Sequence, residues 1–268
     1  MFYLYSITPC VVRVALLQVH VEADKQKNID NAEKQIKLAV SQHAQLVVLP
    51  EMFNCPYSND SFPHYAEQCP TVQSDNASKI DYQSIDQNKS PTVYALSKFA
   101  AEHNIWLIGG SIPETDSSHL YNTSLVCNPQ GHFIAKHRKV HLFDIDVPGK
   151  IRFMESDTLT GGSQITTFTT PYGVVGLGIC YDIRFAELAQ IATQLHNATL
   201  LVYPGAFNTT TGPAHWELLL RARAVDNQCY AMACSPARDP TFSYQAWGHS
   251  MYSTQYYGDN NINPHTAY

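Results

Sequence analysis

The chain has 268 residues, 44% of them hydrophobic and 15% charged, with 17 basic against 23 acidic side chains and a formal charge of −6. It is long enough to bury a substantial core. The charge balance offers no footprint for nucleic acid, and no apolar run reaches the roughly 18 residues of a membrane span, so neither is expected as a partner.

The opening, MFYLYSITPCVV, lacks the basic start and the small-residue cleavage site of a signal peptide. Residues 1–12 are therefore expected to form an extension ahead of the first strand, VALLQV (14–19). Residues 25–43 place Ile29, Ala32, Ile36, Ala39, Val40 and His43 on one helical face. LVVLP (46–50) is a near-continuous apolar strand of the kind covered on both sides. The polar segment 59–89 reads as a surface insertion. Ser90 and Pro91 suit a helix start, as N-cap and first-turn proline, for a helix through His103. IWLIGG follows as a strand, and SLVCNPQGHFIAKHRK reads as a hairpin turning at residues 128–131. VVGLGIC and TLLVYP are buried strands separated by a helix over 184–195. A helix over HWELLLRARAVDNQ and a strand over CYAMACS complete the alternation, which predicts one α/β domain spanning 1–268 with helices on its sheet faces.

Seven cysteines without a Cys-x-x-Cys pair fit neither a disulfide framework nor a zinc cluster, and they point to a reducing compartment. The Asn-x-Ser/Thr triplets at Asn76, Asn88, Asn122, Asn197 and Asn208 are then read as chance. Cys229 and Cys234 lie on a strand pattern and read as core. Cys180 differs, because VVGLGICYDIRFAELA (174–189) runs an apolar strand into a cysteine and then into charge. A thiol is mostly protonated at neutral pH, so a nucleophilic Cys180 needs a base or a positive field nearby. Glu51 follows LVVLP directly and Lys139 lies just past the hairpin strand. Both, like Cys180, leave apolar strands at their carboxyl ends, where open α/β sheets gather their sites. Glu51 can take the thiol proton, and Lys139 can stabilise thiolate and oxyanion. Each residue alone also has a plainer explanation as a helix cap, a solvated lysine or a core cysteine. His141 or His215 offers a His–Cys dyad instead, but such a dyad leaves Glu51 and Lys139 unexplained.

LVVLPEMF, HRKVHLFD and GLGICYDIRF resemble, in order, the three catalytic-motif segments of the nitrilase, or carbon–nitrogen hydrolase, superfamily, and the resemblance runs from about Val14 to Ser250. HRKVHLFDIDVPGKIRFMES, YPGAFNTTTGPAHWELLLRARAVDNQ and SPARD…AWGHS look closer still to its omega-amidase branch. That resemblance implies a four-layer α-β-β-α sandwich, a homodimer, no metal or organic cofactor, and a cytoplasmic location with a mitochondrial one as alternative. It puts the general base on Glu51, the lysine on Lys139, the nucleophile on Cys180 and a supporting glutamate on Glu155. The activity implied is hydrolysis of 2-oxoglutaramate and 2-oxosuccinamate to the 2-oxo acid and ammonia through a cysteine thioester. In that setting Gly176 and Gly178 let the strand pack closely as it enters an elbow, and Tyr181 N–H is the oxyanion donor. A helix start near Asp182 and Arg184 favours thiolate. Arg184, the cation nearest Cys180 along the chain, is the candidate to grip a substrate carboxylate, with Tyr57 and Phe207 lining the pocket.

Two other functions stand beside this one. The amidase of deaminated glutathione is a sister branch, disfavoured by DIDVPGK and TTGPAHW. An inactive scaffold is the reading from another class, prompted by the tail: after AWGHS, residues 251–268 leave the family pattern, and the closing strands and helix are expected to be truncated or altered. TLTGG, where many relatives have SPG, is expected to change the loop near Glu155.

Overall fold

The computed structural model describes residues 12–72, 79–149 and 151–254. Asn76, most of the expected N-terminal extension and the tail beyond Thr254 lie outside the described residues.

The first half of the chain builds one sheet. Its elements in order are β1 (Val14–Leu16), α1 (Lys25–Ser41), β2 (Leu46–Val48), α2 (Phe62–Tyr65), α3 (Pro91–His103), β3 (Trp106–Ile108), β4 (Ile112–Thr115), β5 (Leu120–Cys127) and β6 (Phe133–Arg138). Strands β1, β2 and β3 pair in parallel, with helical crossovers between them, and β3 then pairs antiparallel with β5, which pairs with both β4 and β6. A two-stranded hairpin follows, β7 (Asp144–Val147) with β8 (Ile151–Met154). The second sheet comes from β9 (Thr166–Thr170), β10 (Gly173–Leu177), α4 (Ala186–Gln194), β11 (Ala198–Pro204), α5 (Gly212–Asn227), β12 (Tyr230–Cys234) and β13 (Met251–Ser253), in the order β13-β12-β11-β10-β9.

Alternation along the strands assigns side chains to layers. In β2 and the residue after it, Val47 and Leu49 pack with Ile29, Ile36, Leu96 and Phe99 of α1 and α3. Leu46 and Val48 point the other way and meet Val175, Leu177, Val202 and Cys234 of the second sheet. The far face of that sheet is covered by α4 and α5, through Ala189, Ala192, Trp216, Leu220 and Ala224. The layers therefore run α-β-β-α, as expected. The apolar run LVVL is buried on both faces, each residue at 1% exposure or less, and each such side chain contributes about 1.5–3 kcal/mol.

Several local expectations need correction. His43 lies beyond the end of α1 with φ 65° and is exposed, because the helix closes at Ser41 and the chain turns at once toward β2. Ser90 does not cap α3: its hydroxyl donates to Gln68 O, while the buried Glu67 carboxylate accepts the Thr92 and Val93 N–H groups. A full charge at the positive end of the helix takes the place of a serine hydroxyl. Strands β4, β7, β8 and β9 were not legible as separate elements. Part of the atypical tail is regular, since Met251–Ser253 pairs antiparallel with β12 and covers its edge. Asn122 and Asn208 are buried, at 0% and 6% exposure, which rules them out as glycan acceptors in the folded chain.

Candidate active site

Glu51 sits in the turn after β2, with Met52 in the left-handed region at φ 51° and its N–H bound to Ser111 Oγ. Lys139 directly follows β6. Its N–H donates to Asn122 O at 2.8 Å, which continues the β5–β6 ladder by one pair and brings Asn122 beside it. Glu155 opens a short 3-10 turn after β8. Its backbone N–H donates to Phe143 O on the opposite side of the hairpin at 3.2 Å, and its Oε2 accepts the Phe143 N–H in return at 2.7 Å.

These three side chains converge in a buried cluster, all at 1% exposure or less. Lys139 Nζ donates to Glu51 Oε1 at 2.9 Å and lies 3.0 and 2.9 Å from the two Glu155 oxygens. Glu51 Oε1 also accepts Asn122 Nδ2 at 2.8 Å. Tyr57 donates to Glu155 Oε1 at 2.6 Å, with its hydroxyl 3.4 Å from Glu51 Oε1. Glu51 Oε2 is buried without a partner of ordinary hydrogen-bond geometry. Burial raises the Glu51 pKa; Lys139 pulls it down and Glu155 pushes it up again, and the net direction is upward. Burial works against the Lys139 ammonium, but Glu155 and Glu51 more than offset it and leave its pKa raised.

Cys180 begins a 3-10 turn, Cys180–Arg184, straight after β10, with φ 46°. A non-glycine residue held in the left-handed region at a strand-to-helix elbow is a strained position of the kind active sites use. The close packing expected at the glycines is present: a Cβ on Gly176 would meet Leu201 at 2.8 Å, and one on Gly178 would meet the Tyr203 ring at 2.8 Å. Within the turn the first bond is Asp182 N–H to Ile179 O, so the Tyr181 N–H stands ahead of the hydrogen-bonded pattern. The thiol is 4% exposed rather than displayed at the surface. The expected bias toward thiolate is not found. Burial and the Glu51 charge raise the thiol pKa well above its ordinary value, against the opposing pull of Lys139 and the Ala206 N–H.

The elbow is tied to the lysine segment by Asp182, which the sequence marks only as part of a helix start. Its buried carboxylate accepts Ile179 N–H and His137 Nε2 on Oδ2 at 2.9 and 3.0 Å, and His141 N–H and Nδ1 on Oδ1 at 2.9 and 2.8 Å. His141 is thereby engaged by Asp182 and stacked on Phe185, 3.5 Å between centroids. His215 is engaged by Arg184, through Nη1 to Nδ1 at 3.1 Å. Neither histidine pairs with Cys180. The Arg184 guanidinium lies 4.9 Å from the Phe207 ring and 5.2 Å from the Tyr181 ring. Burial lowers its pKa, against the opposing influence of Tyr181 and Cys180.

A cavity of about 90 Å³ opens beside Glu51, lined by Val21, Cys55, Tyr57, Ala206, Phe242 and Tyr244 among others. Tyr244, also missed by sequence reasoning, stacks on Tyr57 at 4.4 Å and donates its hydroxyl to Ala206 O. Among the described residues no group of His, Cys, Asp and Glu side chains has the arrangement of a metal site.

An α-β-β-α sandwich with a glutamate, a lysine and a cysteine gathered where its two sheets meet describes a class of amide-cleaving hydrolases. The carbon-nitrogen hydrolase family matches residues 13–253, and the chain belongs to it. Among its relatives, Omega-amidase NIT2 from Xenopus tropicalis and that from Homo sapiens are each 54% identical over 238 residues, 89% of this chain and 79% of theirs. The crystal structure of Saccharomyces cerevisiae Nit3, from branch 10 of the nitrilase superfamily, is 42% identical with a TM-score of 0.78, over 91% of this chain and 82% of that one.

Proposed function

We propose that this carbon–nitrogen hydrolase is an omega-amidase, acting as a single domain on 2-oxo dicarboxylic acid ω-amides such as 2-oxoglutaramate and 2-oxosuccinamate. The identity to omega-amidases over nine-tenths of the chain supports the substrate class. The observation that carries the mechanism is the buried Glu51–Lys139–Cys180 cluster, with Arg184, four residues past the cysteine, making no ion pair with a carboxylate among the described residues.

In the proposed cycle Cys180 rests as the thiol, and Glu51 takes its proton as sulfur attacks the amide carbonyl. The raised carboxyl pKa makes Glu51 a stronger base than an ordinary carboxylate. Lys139 Nζ and the Tyr181 N–H hold the tetrahedral oxyanion. Glu51 returns the proton to departing ammonia, leaving a thioester on Cys180, and then deprotonates the water that releases the 2-oxo acid. Glu155 is a positioning group, since it fixes Lys139 and Tyr57 while anchored to the Phe143 backbone. Arg184, with Phe207 beneath it, receives the distal carboxylate.

The deciding experiment compares ammonia release from 2-oxoglutaramate and from deaminated glutathione. A clear kcat/KM preference for 2-oxoglutaramate is expected, and the reverse order would assign the chain to the sister activity. Hydroxylamine should divert the thioester to hydroxamate; product partitioning that ignores it would remove the covalent step.

A further inference from the structure

We propose that His215 is a positioning residue that aims Arg184 and thereby sets the preference for amides bearing a distal carboxylate. The inference rests on the assignment of Arg184 as the carboxylate site.

His215 stands in the first turn of α5, its N–H bound to Thr211 O. Its Nδ1 accepts from Arg184 Nη1 at 3.1 Å, which requires the proton to sit on Nε2 and the ring to be neutral. A neutral acceptor has a different consequence from a carboxylate one: it fixes the fork while leaving the full positive charge for a ligand. The same helix secures the rest of Arg184. Arg223 Nε donates to Ile183 O at 2.9 Å and its Nη2 to Arg184 O at 3.3 Å. Trp216 packs edge-on against Phe207 at 5.1 Å, and the Phe207 ring faces the guanidinium. Helix α5 therefore holds the arginine by its backbone, by one face and by one edge. Among the described residues Arg184 Nε is buried with no hydrogen-bond partner, a donor left open in a side chain held by His215 and lying against Phe207.

The test is steady-state kinetics of the whole chain on 2-oxoglutaramate and on pentanamide, with 2-oxoglutarate as competitive inhibitor. The variants are H215L, H215N and R184M, with melting curves to verify folding. Asparagine places an acceptor oxygen where Nδ1 stands, and leucine does not. For H215L, KM for 2-oxoglutaramate and Ki for 2-oxoglutarate should rise about tenfold, the size expected for losing one hydrogen bond to a charged group. Its kcat should change much less, and the pentanamide KM should move little. H215N should recover most of the loss. Equal losses on both amides, or H215N as impaired as H215L, would overturn the positioning role. If R184M loses the preference for the carboxylated amide while H215L keeps it, only the role of His215 falls. If R184M keeps that preference, the carboxylate site lies elsewhere and both assignments fall.

Discussion

Replacing Asp182 by Asn tests whether the Cys180 elbow depends on this carboxylate. Asp182 takes two donors on each oxygen, and each pair contains one backbone N–H, from Ile179 or from His141. An amide has only one oxygen, so whichever way it turns, its NH2 faces a buried backbone donor. An unsatisfied buried donor costs about 1–3 kcal/mol, and the surviving bonds weaken from charge-assisted to neutral strength. Together these losses amount to about 3–5 kcal/mol, a fall in Tm of roughly 6–20 °C for a chain of this size. The sign of the pH dependence follows from the carboxyl itself. Burial pushes its pKa up, but the His137 and His141 contacts outweigh that and hold it well below the usual carboxylate range. Its contribution is therefore complete above the unfolded value of about 3.9 and is lost as pH falls through the folded one. Urea unfolding should show a stability gap between wild type and D182N that is smaller by roughly 1 kcal/mol at pH 3.3 than at pH 5. A Tm change under 2 °C at neutral pH, or a gap that ignores acid, would refute the argument.

Three other substitutions probe the same region. Cys180→Ala should abolish turnover and hydroxamate formation while shifting Tm by no more than about 2 °C, because one buried sulfur is lost and a methyl fits the same backbone; activity above background would dismiss Cys180 as nucleophile. Glu51→Gln keeps the shape but cannot take the thiol proton, and kcat/KM should drop by about 10²–10⁴; a loss below tenfold would move the base elsewhere. Gly178→Ala sets a methyl 2.8 Å from the buried Tyr203 ring, so equilibrium unfolding should show it destabilised by about 1–3 kcal/mol, and unchanged stability would mean that the elbow has slack.

The strands ahead of Glu51 and Cys180 were legible because each is a largely apolar run that stops at a charged or nucleophilic group, whereas Lys139 follows the mixed strand FIAKHR and stood out only by its place past the hairpin. What escaped notice depends on pairing register, which no single segment encodes. Cys127 opposes Phe133, and that register, carried along an ideal ladder, sets Arg138 opposite Asn122. The irregularity between Val126 and Cys127 shifts the pairing by one, and Lys139 becomes the neighbour of Asn122 instead. A triplet that read as a chance glycan signal thus becomes a ligand of Glu51. Glu155 was found by resemblance, but its anchorage depends on the β7–β8 hairpin, whose strands are too short and polar to stand out. The expectation for the Cys180 thiol failed for a related reason: a local helix start is visible in the chain, whereas burial among Ile183, Tyr203, Phe207 and Trp216 and the approach of Glu51 from the other sheet are not.

Glu51 and Lys139 descend from one sheet and Cys180 from the other, so the proposed site is assembled only where the two sheets pack together. The separation between carboxylate and sulfur is set by how Val48, Ile108 and Val126 seat against Val175, Leu177 and Val202 in the layer between the sheets. A misplacement near 1 Å can reduce turnover about a hundredfold. Enlarging or trimming one of those aliphatic side chains, which touch no substrate, therefore acts on rate as well as on stability, with the inter-sheet seam serving as the ruler for the chemistry at its edge.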